Sequence, residues 1–76
     1  MNERLLDVRD MEPPEPLERV LAEMETLQRE ERIRMIHRRE PHLLFPMLAR
    51  EQFAYEVTLT PGHEFHILIW RKPDAN

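Results

Sequence analysis

Leu6-Asp7-Val8-Arg9-Asp10-Met11-Glu12-Pro13-Pro14-Glu15-Pro16-Leu17 is the stretch whose reading decides the fold. Residues 4–8, just overlapping its head, read as a short strand. The prolines at 13, 14 and 16 stop that strand, because a residue without an N–H cannot donate into a ladder. Pro16 fits the first turn of a helix, where the N–H would be unpaired in any case. Glu12 and Glu15 place negative charge beside the partial positive charge of a helix start. Leu17, Val20, Leu21, Met24 and Leu27 then recur at the i, i+3, i+4, i+7 and i+10 spacing of one helical face. That spacing predicts a helix running to about Gln28.

Outward from this stretch, residues 32–38 alternate as a strand with Ile33, Met35 and His37 on one side. Pro41 ends it. Leu43, Leu44, Met47 and Leu48 predict a second, shorter helix, begun near Leu43 so that Pro46 falls in its first turn. Phe53, Tyr55, Val57 and Leu59 alternate with Ala54, Glu56 and Thr58 as a half-buried strand. Thr60-Pro61-Gly62-His63 is the strongest turn signal and holds the chain's one glycine. Phe65, Ile67 and Ile69 alternate with His66, Leu68 and Trp70 in a last strand that Lys72-Pro73 closes. Residues 1–3 and 72–76 read as frayed ends. The order is βαβαββ, so the crossovers make the first three strands parallel and the hairpin makes the fourth antiparallel. The expected architecture is an α+β two-layer sandwich, with a four-stranded mixed sheet and two helices on one face.

Seventy-six residues make one small domain, 1–76, which buries only about 60% of its unfolded surface. There is no Cys, so neither a disulfide nor a Cys-based metal site can add to its stability. The absence fits a reducing compartment. No apolar run approaches the ~18 residues of a membrane span and no signal-peptide pattern opens the chain, which leaves the cytoplasm as the expected location. The net charge is −4 and basic residues are interleaved with acidic ones, as in Arg29-Glu30-Glu31-Arg32. That balance disfavours nucleic acid, which needs a basic excess on one face.

The segment from Leu6 to Leu17 resembles the start of helix one in the TusA/SirA-like sulphur carriers, where Leu-Asp-x-Arg-Gly-Leu-x leads into Cys-Pro-Glu-Pro. The chain is more particularly similar to a Cys-lacking, uncharacterised branch that reads Pro-Pro-Glu-Pro. Matching stretches are His37-Arg38-Arg39-Glu40-Pro41, Phe45-Pro46-Met47-Leu48 and Phe53-Ala54-Tyr55-Glu56. The resemblance implies a sheet order of 1-2-4-3. It also implies a protein partner in sulphur or respiratory nitrogen-oxide metabolism. Two departures matter: Asp10 stands for the usual Gly, and Pro13 stands for the persulphide-bearing Cys. A proline carries no persulphide, and no other Cys can take the role.

The chemistry-bearing candidates gather at the carboxyl-end edge of the parallel strands, where open α/β sheets favour ligands. Arg9, Glu12, Pro13, Pro14, His37, Arg38 and Arg39 form this loop edge, with His42 beside it. Imidazole is a common metal ligand, so His37 and His63, with Glu12 or Glu40, form a candidate divalent-ion pair. The plainer reading is ordinary surface histidines. Arg38, Arg39 and the start of helix two are a candidate anion site. The plainer reading pairs those arginines with Glu40 or Glu56. No nucleophile triad or Gly-rich phosphate loop occurs, so catalysis is not expected and no cofactor is predicted. Met24, Met35 and Met47 read as core.

The open sheet face is the other candidate. Arg34, Ile36, His66, Leu68 and Trp70 should share it, an apolar patch with a Trp and an Arg of the kind interfaces use. Against this stands the ordinary scatter of apolar surface. The sequence therefore points to a non-enzymatic accessory or protein-interaction module. The alternatives are a small-ligand, anion or metal-binding domain at the loop edge and, less favoured by charge, RNA binding. A homodimer is compatible with either surface.

Overall fold

The computed structural model describes residues 2–73. Its elements are β1 (Asn2–Asp7), α1 (Glu15–Thr26), β2 (Glu31–His37), α2 (Leu44–Arg50), β3 (Phe53–Leu59) and β4 (Phe65–Arg71). The sheet order is β1-β2-β4-β3. β1 runs parallel to β2, and β4 is antiparallel to both β2 and β3. The fold is thus the expected α+β arrangement of one mixed sheet and two helices.

The boundaries differ from the sequence reading in instructive ways. β1 begins at Asn2, which is paired with Glu31, so residues 2 and 3 are not frayed. Lys72 donates its N–H to the Gln52 carbonyl at 3.0 Å and prolongs the β3–β4 ladder by one step. The expected frayed positions 1 and 74–76 lie outside the described residues. α1 stops at Thr26 because Leu27 turns extended (φ −68°, ψ 126°), which brings its side chain into the core. Pro16 lies in the first turn of α1, and Pro46 falls in the first turn of α2.

The left-handed backbone falls on unexpected residues. The hairpin's positive φ belongs to His63 (63°), and Gly62 has none. Gln52, between α2 and β3, takes φ 64° and ends the helix the way a glycine commonly does. Thr60 fastens the hairpin. Its N–H donates to the Glu64 carbonyl at 2.8 Å, and its Oγ1 accepts the Glu64 N–H at 3.1 Å.

One core cluster lies between the sheet and the helices. Leu6 and Val8, Val20 and Met24, Ile33 and Met35, Leu44 and Leu48, and Ile67 and Ile69 are all buried there, with Leu27 and Phe53. Each such side chain contributes about 1.5–3 kcal/mol by leaving water. Arg71 closes the α1 end of this layer. Its Nε and Nη2 donate to the carbonyls of Leu27 (2.7 Å) and Met24 (3.1 Å), and its guanidinium lies 4.8 Å over the Phe53 ring.

β3 is less covered than its alternation suggests. Phe53 is buried, but Tyr55 is 40% and Leu59 55% exposed. The reason is length. Seven helical residues span roughly 10 Å and seven strand residues roughly 23 Å. α2 reaches Tyr55, where Phe45 stacks on the phenol ring at 4.6 Å and 9°.

Candidate functional site

The carboxyl-end edge holds a concavity of about 350 Å³ walled chiefly by Pro13, Pro14, Leu17, Met35, His37, Pro41, Leu43 and Leu44, with Arg39, Glu40 and His42 on its rim. The Pro13–Pro14 peptide is cis and leads straight into α1. On the other side of the Pro13, His37 and Arg39 seam lies a smaller hollow of about 130 Å³ that also takes in Arg9, Met11, Glu12 and Arg38. The predicted loop-edge residues are therefore brought together, and proline rings and aliphatic side chains set the character of the larger hollow.

His37 ends β2 on the helix side and is half-buried. Its Nδ1 accepts the backbone N–H of Arg39 at 3.2 Å. Burial, and then the charge of Arg39, push its pKa below the ordinary histidine value. At neutral pH this imidazole is an uncharged wall of the groove with its proton on Nε2.

The arginines of the edge differ sharply in what they have left to offer. Arg9 is occupied: Asp7 accepts from its Nη2 at 2.7 Å and its Nε at 2.9 Å, and Glu64 accepts from its Nη1 at 3.0 Å. These bonds hold the Asp7 carboxyl down at about 2 and raise the Arg9 pKa. Arg9 thus ties the end of β1 to the hairpin. Arg38 has Asp10 at 3.5 Å, in place of the Glu40 or Glu56 considered from sequence. Arg39 has no ion pair among the described residues and stands exposed on the groove rim.

His63 is exposed in the hairpin turn, and His42 sits edge-on to Phe45 at 6.3 Å. Among the described residues no group of three or more His, Asp or Glu side chains is placed to hold a metal ion. The His37/His63 pair therefore gains no third ligand from Glu12 or Glu40.

The open sheet face carries Arg34, Ile36, His66, Leu68 and Trp70, all half-buried. Arg34 lies opposite Leu68 and Ile36 opposite His66. The face is less open than the sequence suggests. The Arg32 guanidinium lies 4.9 Å over the Trp70 ring, a cation–π cover that the sequence reading missed. Its signal was the register, which sets residue 32 across from residue 70. Arg34 in turn donates to Glu3 at 2.8 and 3.2 Å. A further concavity of about 360 Å³, bounded by Met24, Met47, Arg50, Glu51, Phe53 and Arg71, has a charged rim and includes the Arg71 already committed to α1.

Residues 5–71 match the family described as "Uncharacterized conserved protein (DUF2249)", and the chain belongs to that family. No curated protein and no solved structure matches it. Among the described residues no helix is long and apolar enough to cross a membrane.

Proposed function

We propose that this domain is a non-enzymatic accessory module that takes an apolar segment of a partner protein into the carboxyl-end groove. The groove itself carries the reading: about 350 Å³ of proline and aliphatic wall, with a neutral His37 inside and, at the rim, an Arg39 that has no ion pair among the described residues. Apolar concavities with a few convergent polar groups are the usual form of binding sites. The groove floor is also where the TusA/SirA-like carriers, by resemblance, hold their Cys. With Pro13 at that position the docking surface is retained and sulphur transfer is lost. The partner therefore belongs to a sulphur-relay or respiratory nitrogen-oxide system of the cytoplasm, and the domain itself needs no cofactor.

A second reading rests on Arg39. An exposed guanidinium beside an apolar hollow suits a small anionic ligand with a hydrocarbon body. RNA is a weaker fit, because Arg4, Arg9, Arg34 and Arg38 are all engaged by carboxylates.

Affinity purification of the tagged chain from its host, with mass spectrometry of what co-elutes, tests the proposal. One stoichiometric partner is expected. Leu43→Glu and Arg39→Glu, both at exposed groove positions, should abolish its capture, and Trp70→Ala should leave it. The reverse pattern would move the site to the open sheet face. A chain that elutes alone would overturn the interaction reading in favour of the anionic ligand.

A further inference from the structure

The outer edge of β3 carries an interaction independent of the groove. Thr60 donates its N–H to Glu64, and Lys72 donates to Gln52. Both pairs continue the register that runs from Phe53 opposite Arg71 to Leu59 opposite Phe65. In an antiparallel ladder, residues alternate between pairs that exchange both hydrogen bonds and pairs that exchange none. The even-numbered residues of β3 therefore turn their N–H and C=O groups toward β4. Phe53, Tyr55, Val57 and Leu59 turn theirs away, where no strand lies among the described residues.

This edge has neither proline nor bulge, and a single charge. A bare edge is normally blunted by charge, proline or a bulge. The only charged side chain on β3 is Glu56. The exposed Leu59 and the half-buried Val57 line its helix side beyond the reach of α2, and the exposed Tyr55 meets α2 only through the Phe45 ring.

We propose that the chain forms a two-fold dimer in which β3 pairs antiparallel with β3 of a second copy, joining two four-stranded sheets into one. A two-fold axis normal to the sheet keeps the same face up in both copies, so residues of like parity meet and the axis passes midway between one residue and its own copy. Placed at Glu56, the axis would oppose two carboxylates. Placed at Tyr55, it would set Leu59 against Glu51, beyond the strand. At Val57 it sets Tyr55 against Leu59, Glu56 against Thr58 and Val57 against itself. That register opposes no like charges and stays within β3. The edge is thus complementary to its own copy, which is what an isologous interface requires.

Sedimentation equilibrium from micromolar to millimolar protein tests this. A species of twice 9.3 kDa is expected. Val57→Pro removes an outward N–H and leaves the β4 ladder its donors. Leu59→Lys places a charge opposite Tyr55 of the copy. Each should weaken the dimer by on the order of tenfold or more. The register has its own probe, because the chain has no Cys. Val57→Cys should oxidise readily to a dimer, since directly opposed residues lie within the ~7 Å Cα limit of a disulfide. Thr58→Cys, displaced from its own copy by two residues, should not. A monomer at every concentration overturns the proposal. So does a dimer that survives both Val57→Pro and Leu59→Lys, or one that Thr58→Cys cross-links as fast as Val57→Cys. A dimer replaced by capture of another protein's strand would also reject the second copy as occupant.

Discussion

β1 and β3 close the same sheet at opposite sides, and they are built to different ends. On β1 the N–H groups of Asn2 and Val8 go to Glu30 and Ile36, so Glu3, Leu5 and Asp7 turn theirs outward. Two of those three are carboxylates, bound to Arg34 and Arg9. A two-fold pairing of β1 centred on Leu5 would set Glu3 against Asp7. Leu5 itself is 65% exposed, yet it sits between charges. β1 is also fastened from below. Leu6 and Val8 are buried, and Arg4 reaches Glu31 at 2.8 Å, Glu23 at 3.2 Å and the Thr26 hydroxyl at 2.8 Å. β3 has one buried anchor, Phe53, and an outward row without charge. One edge repels a neighbouring strand, and the other admits one.

The largest effect should come from the anchors. Phe53→Ala removes the buried ring that holds β3 and the Arg71 stack, and should cost about 3–5 kcal/mol. Leu59→Ala, at the exposed end of the same strand, should fall within about 0.5 kcal/mol of wild type. Urea unfolding of both variants measures the difference. Equal losses would mean that the outer half of β3 is covered in solution, as the dimer requires at high concentration, so the comparison belongs at the lowest workable concentration.

A smaller but more telling effect is expected from disarming the guarded edge. Glu3→Val with Asp7→Val removes the carboxylates that a neighbouring strand would meet. With β3 also free to pair, growth no longer closes at two copies, and light scattering should show larger assemblies. A double variant that keeps the wild-type mass would show that the charges of β1 are not what protects it.

The smallest effect is in the pH dependence, and its sign follows from groups held below their ordinary values: His37, Asp7 and, bonded to arginines, Glu3 and Glu31. His37 titrates lower in the fold than its ordinary 6.5, so it favours the folded state above that pH and progressively less below it. Asp7, held at about 2, contributes above the ordinary carboxylate range and loses that contribution as pH falls from about 4 to about 2. Thermal melts should therefore decline in two stages on acidification. His37→Asn should remove the first stage and Asp7→Asn should reduce the second, which Glu3 and Glu31 share. A single decline untouched by either variant would dissociate both groups from stability.

Most of the architecture was legible because local chemistry and pattern agreed. The proline cluster, the Leu17–Leu27 stripe and the Thr60–His63 turn each specified an element without reference to the others. The order with β4 inserted between β2 and β3 came from resemblance, since periodicity says nothing about neighbours. The loop edge was legible as a gathering of residues, but its character was not. Whether Arg9 is free or bound by Asp7 and Glu64 depends on how far the hairpin folds over the end of β1. The cover that Arg32 lays on Trp70 depended likewise on register. The turn at Gln52 escaped notice because its backbone takes a glycine's conformation with a side chain that gives no sign of it.

β4 is the last of the four strands to leave the ribosome, and it sits in the middle of the sheet. Until it arrives, β3 has no ladder at all and β2 has a neighbour on one side only. Arg71, near its end, is also what closes the carbonyls of α1, an element made some 45 residues earlier. Before then β1, α1 and β2 can settle on one another, but β3 has nothing to pair with, so the sheet is complete only when its central strand arrives.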